Sequence, residues 1–285
     1  MAAVLCTHCR QLISPQETRC PFCKAAQPNL LGGGPQLLAL FREAELTSPL
    51  LGVMGLLYVA SLAIDPPGFR LEDGLFRLGA PSSKALNLLG MTGGAAWICG
   101  RWWTLLTASF LHGSLLHILF NVSWLRQLGA LTESLLGPAR FFVIFTAAGV
   151  GGFLLSNLVS GTPTIGASCG IFGVYGALLV FGKRRGGTLG AGLSRQMLNW
   201  AISGFLFTLM MGNVNHLGHL GGFLGGGLAA LFMPKFENVR EGRGVMLLAL
   251  GLGLLTLLAF VLSGLANSGL LTADNPLCAA VLGAT

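Results

Sequence analysis

Apolar residues run through this chain in long blocks, separated by short polar or glycine-rich breaks. A helix needs about 20 such residues to cross roughly 30 Å of hydrocarbon. The pattern predicts seven of them: Pro49 to Ile64, Gly113 to Leu131, Phe141 to Ser160, Ser168 to Phe181, Gln196 to Gly212, Leu217 to Met233 and Val245 to Gly264. The fourth is short enough to start below the membrane surface. Ahead of these blocks the first 48 residues are polar and rich in cysteine. The shifts in character divide the chain into a cysteine-bearing module over 1–31, a linker over 32–48 in which Gln36 to Leu46 is a candidate interfacial helix, a transmembrane domain over 49–264, and an extracytoplasmic tail over 265–285.

Composition agrees with the blocks. The chain is 53% hydrophobic and 9% charged, with 43 glycines and a mean hydropathy of +0.73, whereas a soluble domain carries about a quarter charged residues. This describes a multi-pass membrane protein. Lysine and arginine stay on the cytoplasmic side of short loops, and a cytoplasmic amino terminus places 13 of the 17 there. The other four, Arg70, Arg77, Lys84 and Arg101, share the first outer loop. The expected location is a plasma (inner) membrane with the amino terminus inside. The net charge of +7 is then a topology signal with some attraction to anionic lipid headgroups, and no nucleic-acid partner is implied. A cleavable signal peptide is not expected, because Cys6, His8, Cys9 and Arg10 occupy the place of its apolar core.

The amino-terminal module contains Cys6-Thr7-His8-Cys9 and Cys20-Pro21-Phe22-Cys23. Two Cys-x-x-Cys knuckles offer four thiolates to one tetrahedral zinc. A segment this short buries little core, so metal ligation would supply most of its folding free energy. A redox Cys-x-x-Cys would want a thioredoxin-like surround, and disulfides are disfavoured in the cytoplasm. Structural zinc on Cys6, Cys9, Cys20 and Cys23 is the expectation, with His8 a bystander. The module resembles the short zinc ribbons attached to many bacterial membrane proteins, a resemblance that names no partner for it.

Polar side chains inside apolar helices are costly to insert, so each raises the question of what it does. His112, His117 and Asn121 stand near the start of the second span, Ser168 at the start of the fourth, and His216 and His219 at the start of the sixth. With the amino terminus inside, all three spans begin at the outer face, which puts these groups near one depth. Gly166, Gly170, Gly173 and Gly176 face a partner series in Gly218, Gly222 and Gly226, and small residues let helix backbones approach closely. Close packing would bring Ser168 Oγ to the His219 ring. From Ser134 to Phe236 there is no Asp or Glu, so a catalytic unit here would be a Ser-His dyad. Ser168 is its nucleophile and His219 its general base and acid, held by packing on the Phe172 ring. The Ser168 backbone N–H, with the side chains of Asn121 and His117, would form the oxyanion hole. His216 is expected to cap the sixth span or line the mouth of the site.

These residues resemble the rhomboid family of intramembrane serine proteases. The match consists of His112-x4-His117-x3-Asn121, Gly166-x-Ser168 with Ile171-Phe172-Gly173 after it, and His219-Leu220-Gly221-Gly222 with Gly226 beyond, over roughly Gly100 to Pro234. The resemblance implies an all-α membrane protein: a six-helix transmembrane bundle with a long first outer loop partly in the membrane, plus here a seventh carboxy-terminal helix. It implies a serine endopeptidase acting on transmembrane protein substrates within membrane lipid, with no cofactor for catalysis. Cys169 stands where the family usually has Gly after the nucleophile. Arg101-Trp102 stands where it often has Trp-Arg. Two rivals remain: a non-catalytic rhomboid-like scaffold that binds client transmembrane helices, and a carrier using the histidines as ligands.

Overall fold

The computed structural model describes residues 4–5, 11–14, 19–24, 45–65, 77–211, 214–237 and 240–267. The chain forms two compact units, Met1–Ala44 and Glu45–Thr285. In the first, β1 (Val4–Leu5) pairs antiparallel with β2 (Leu12–Ile13), with Val4 opposite Ile13. Cys20 to Cys23 form a turn, closed by the Lys24 N–H donating to the Cys20 carbonyl at 2.9 Å, with Lys24 in the left-handed region at φ 60°. Cys6, Cys9 and the candidate interfacial helix up to Ala44 lie outside the described residues.

The second unit is all-helical among its described residues. A helix stands over each of the seven apolar blocks: α1 (Thr47–Ile64), then three short helices α2 (Ser83–Leu89), α3 (Gly94–Ile98) and α4 (Thr104–Thr107), then α5 (Leu115–Leu136), α6 (Pro138–Val159), α7 (Ser168–Arg185), α8 (Gly187–Leu209), α9 (His216–Ala230) and α10 (Arg243–Asn267). α1, α6 and α10 are each long and apolar enough to cross a membrane by length and composition. A 3-10 turn, Ala108–Phe110, follows α4. The segment Thr104–Phe110 meets α5 at 92°, a bent pair that passes the same test together. Leu56, Leu189 and Leu257 are 69%, 71% and 65% exposed. An uncovered leucine surface of this kind belongs against lipid.

Several boundaries differ from the apolar blocks, each for a tertiary reason. α1 starts at Thr47, inside the expected linker, because the Glu133 carboxylate of α5 accepts the Leu46 and Thr47 N–H groups at 2.9 and 2.7 Å and the Thr47 hydroxyl at 3.0 Å. That supplies acceptors and negative charge where a helix start needs both. α6 starts at Pro138, where a missing N–H costs nothing; Glu241 accepts from the Ala139 and Arg140 N–H groups at 3.3 and 2.8 Å. α8 starts nine residues before the Gln196 block. Its glycine-rich opening reads as loop, yet Gly190 lies against the Gly182 carbonyl and the Ser194 hydroxyl donates to the Leu179 carbonyl at 3.0 Å. α10 runs past Gly264 into the expected tail.

α7 is the central helix, packed by α5, α6, α8 and α9, and nearly every residue from Cys169 to Gly182 is buried. A helix covered on all sides has no polar face to show. The α7–α9 contact is backbone to backbone. A Cβ on Gly222 would meet the Cys169 carbonyl, and one on Gly226 the Gly173 carbonyl. The expected glycine pairing is corrected in part: Gly176 faces α9 and Gly173 lies between Ala148 of α6 and the Gly222 carbonyl of α9, whereas a Cβ at Gly170 would strike the Phe145 ring of α6 and one at Gly166, just before α7, the His117 ring of α5. With Gly182 against α8, the glycines of α7 itself contact α6, α8 and α9.

Candidate active site

Ser168 is the first residue of α7, and no side chain caps that helix. The backbone N–H groups of its first turn consequently lack intrahelical acceptors. His219 lies one turn into α9. The glycine-mediated approach of α7 and α9 brings Ser168 Oγ and His219 Nε2 to 2.9 Å. The Phe172 ring, one turn after Ser168, lies parallel to the imidazole at 15° with ring centroids 4.3 Å apart. His219 is buried, and this stack defines the plane of its ring. Nε2 faces the serine hydroxyl, and Nδ1 has no hydrogen-bond partner among the described residues.

α5 supplies the neighbouring groups. Ser114 caps it, accepting from the His117 N–H at 3.2 Å, and the Gly113 N–H donates to His117 Nδ1 at 3.2 Å. That bond selects the tautomer with hydrogen on Nε2. Gly166, at φ +124°, leaves room for this ring, since a Cβ there would stand 2.7 Å from His117 Nε2 and 3.7 Å from Ser168 Oγ. Asn121, also buried, donates from Nδ2 to the His117 carbonyl at 2.8 Å, which leaves its second Nδ2 hydrogen unused. His112 stands just before α5, edge-on to His117 with centroids 5.2 Å apart. It is buried, and its ring buttresses that of His117.

Ser168, His219, His117 and Asn121 all line one cavity of about 850 Å³. Its apolar walls include Phe120 and Trp124 of α5, Phe172 and Tyr175 of α7, and Phe207 of α8. Phe120 and Phe207 meet edge-on at 5.4 Å, closing the α5–α8 side. His216 is elsewhere. Its ring packs edge-on against Phe205 at 5.5 Å, outside the cavity lining. The cap of α9 is Asn215, whose side chain accepts from the Gly218 N–H, which corrects the expectation that His216 serves there. Cys169 is buried with its Sγ beside Gly218 of α9, and it also contributes to the cavity lining.

Sequence reasoning overlooked a set of linked polar groups: Thr164 and Asn215 in the cavity lining, with Thr92, Thr104, Ser156 and Asn157 around them. Asn157 Nδ2 donates to Thr92 Oγ1 at 3.0 Å, and Thr92 lies 3.0 Å from Thr104 Oγ1. Thr92 and Thr164 pair through their backbones, with Thr164 N–H to the Thr92 carbonyl at 2.8 Å. The one readable signal was an asparagine directly before a helix start.

A model of the Rhomboid domain matches residues 99–236. Rhomboid protease GluP of Bacillus subtilis is 33% identical over 181 residues, 62% of this chain and 36% of that protein. Rhomboid protease GlpG of Photorhabdus laumondii is 35% identical over 141 residues, 48% of each chain. The chain thus spans between a third and a half of the length of these two. The Bacillus subtilis protein named "Putative rhomboid protease YdcA" is 30% identical over 143 residues, 50% of this chain and 72% of that relative. The matched domain, residues 99–236, includes the helices that hold Ser168 and His219, and on these similarities the chain belongs to the rhomboid family.

Proposed function

We propose that the chain is an intramembrane serine endopeptidase, hydrolysing peptide bonds in or near transmembrane helices of membrane-protein substrates through a Ser168–His219 dyad. The carrying observation is the 2.9 Å contact of Ser168 Oγ with His219 Nε2 in a cavity walled by apolar helices. Ser168 Oγ attacks the scissile carbonyl carbon while His219 Nε2 takes its proton. The oxyanion of the tetrahedral intermediate faces the Ser168 N–H, the second Nδ2 hydrogen of Asn121 and His117 Nε2–H. His219 then gives the proton to the leaving amine, and a water activated by the same nitrogen hydrolyses the acyl-enzyme. The Phe172 face does for the ring what a carboxylate does in a triad: it holds the plane, and it favours the imidazolium formed in each step. A serine-directed fluorophosphonate tests the reading. Covalent labelling of the folded wild type at Ser168 is expected, and a chain that neither labels nor cleaves would refute it.

Asn121→Ala is expected to lower kcat about 10² to 10³-fold, the usual loss for one oxyanion donor, with KM little changed. Unaltered turnover on a model transmembrane substrate would remove Asn121 from the site.

The reading places all seven long helices across a plasma membrane, amino terminus inside, with α5, α7 and α9 starting at the outer face. Lys183, Arg184 and Arg185 in the last turn of α7 support this sign. So does Cys99, after α3, which is disulfide-bonded, since such bonds persist in oxidising compartments. Thr162 and Thr188 are both exposed and lie at opposite ends of α7. In intact cells a membrane-impermeant thiol reagent should label Thr162→Cys and spare Thr188→Cys; the reverse pattern inverts the topology.

Zinc in the amino-terminal unit is proposed on the donor set. Cys20 and Cys23 lie at the two ends of one tight turn, closed by the Lys24 N–H donating to the Cys20 carbonyl, a spacing that lets two thiolates serve one ion. Cys6, Cys9, Cys20 and Cys23 would hold the ion, which would supply folding energy there and take no part in hydrolysis. Elemental analysis of freshly purified protein should give about one zinc per chain, lost in Cys20→Ser. Wild-type protein without zinc would end the proposal.

A further inference from the structure

Asn215 does more than a helix cap requires. A cap needs one acceptor, and Asp, Ser or Thr would serve. Asn215 Oδ1 performs that role toward the Gly218 N–H at 2.8 Å, and its carbonyl accepts from the His219 N–H at 3.1 Å. Both hydrogens of its Nδ2 are also used. One goes to Ser156 Oγ on α6 at 2.8 Å and the other to Thr164 Oγ1, four residues before Ser168, at 2.9 Å. Ser156 and Thr164 are buried, and Thr164 is pinned in turn by its backbone pairing with Thr92. Among the common caps only asparagine accepts and donates in this way. A Cβ on Gly218 would stand 2.8 Å from Nδ2, so the glycine keeps the carboxamide in place.

Resting on the hydrolase reading above, we propose that Asn215 is a positioning residue: its carboxamide clamps the segment leading into Ser168 to the helix start that carries His219, and so sets the spacing of the dyad. Ser168 and His219 lie on different helices whose backbones meet at glycines, and beyond the Phe172–His219 stack and the Ser168–His219 contact themselves that packing resists approach but not sliding. The Thr164–Asn215–Gly218 chain supplies the directional restraint that glycine packing lacks.

Two variants separate clamp from cap. Asn215→Ser keeps an acceptor for the Gly218 N–H and loses the reach to Thr164. Thr164→Val removes the acceptor at nearly constant shape and leaves the cap whole, so it carries the test alone if the first variant folds poorly. A displacement of about 1 Å costs on the order of 10²-fold in rate. Each variant is therefore expected to lower both fluorophosphonate labelling of Ser168 and kcat by about 10- to 100-fold, with KM and thermal unfolding nearly unchanged. The double variant should be no slower than the slower single one, since both break one link. A Thr164→Val protein labelling at the wild-type rate, or losses that multiply in the double variant, would overturn the clamp alone. A wild type inert to the probe and to substrate would instead take down the hydrolase reading, and the clamp with it.

Discussion

Ser168→Ala is expected to abolish cleavage of a model transmembrane substrate and all reaction with fluorophosphonate, while the protein stays inserted and folded. Loss of the nucleophile in a serine hydrolase lowers turnover by about 10⁶-fold, below detection for a slow membrane enzyme. The fold should tolerate it. The change removes one oxygen whose partner is His219, at the first residue of a helix that alanine favours. Neighbouring Cys169 does not take over, because it is buried and turned toward α9. The check is a cleavage assay in liposomes beside a thermal unfolding curve. Residual turnover within 10³-fold of wild type, with the fold intact, would mean that another group attacks.

His219→Ala should match that loss, and His216→Ala should change the rate by no more than a few-fold. The two histidines are three apart on α9, close enough in sequence for either to be the base. Their surroundings separate them. His219 Nε2 reaches Ser168 Oγ and its ring lies on Phe172. His216 is edge-on to Phe205, with its centroid 6.3 Å from that of His219. Parallel turnover measurements decide the matter; a near-normal His219→Ala beside an inactive His216→Ala would reverse the assignment. Because no carboxylate among the described residues bonds His219, an acid-to-amide change at Glu133, Glu237 or Glu241 should alter stability rather than the pH profile of kcat.

The helices were legible because hydrocarbon accepts only backbone that satisfies itself, so each crossing leaves a long apolar run. Their ends were less legible. Glu133 caps α1 from 86 residues away and Glu241 caps α6 from 101, and no local window contains such partners. The apolar pattern alone starts the fifth block at Gln196, because the stretch from Gly187 to Arg195 is rich in glycine and polar residues. In the structure Gly190 provides the close approach to Gly182 that lets α7 and α8 pack. The cysteine knuckles were legible as a metal pattern, with Cys6 and Cys9 lying outside the described residues.

At the site, the sequence by itself determined the candidate reactants and their depth. Ser168 and His219 each begin a helix running the same way, and a fixed rise per residue makes position along a helix a measure of depth. It also determined that no acid lies between Ser134 and Phe236, the feature on which the proposed dyad rests. Only the tertiary structure decided which histidine faces the serine. Helical periodicity places His216 and His219 on adjoining faces, and the Cys169–Gly222 and Gly173–Gly226 contacts select the rotation of α9. The same is true of Asn215, whose three side-chain partners come from α6, α9 and the segment before α7. Hydrogen bonds act only between atoms about 3 Å apart, and a sequence contains no distances between helices.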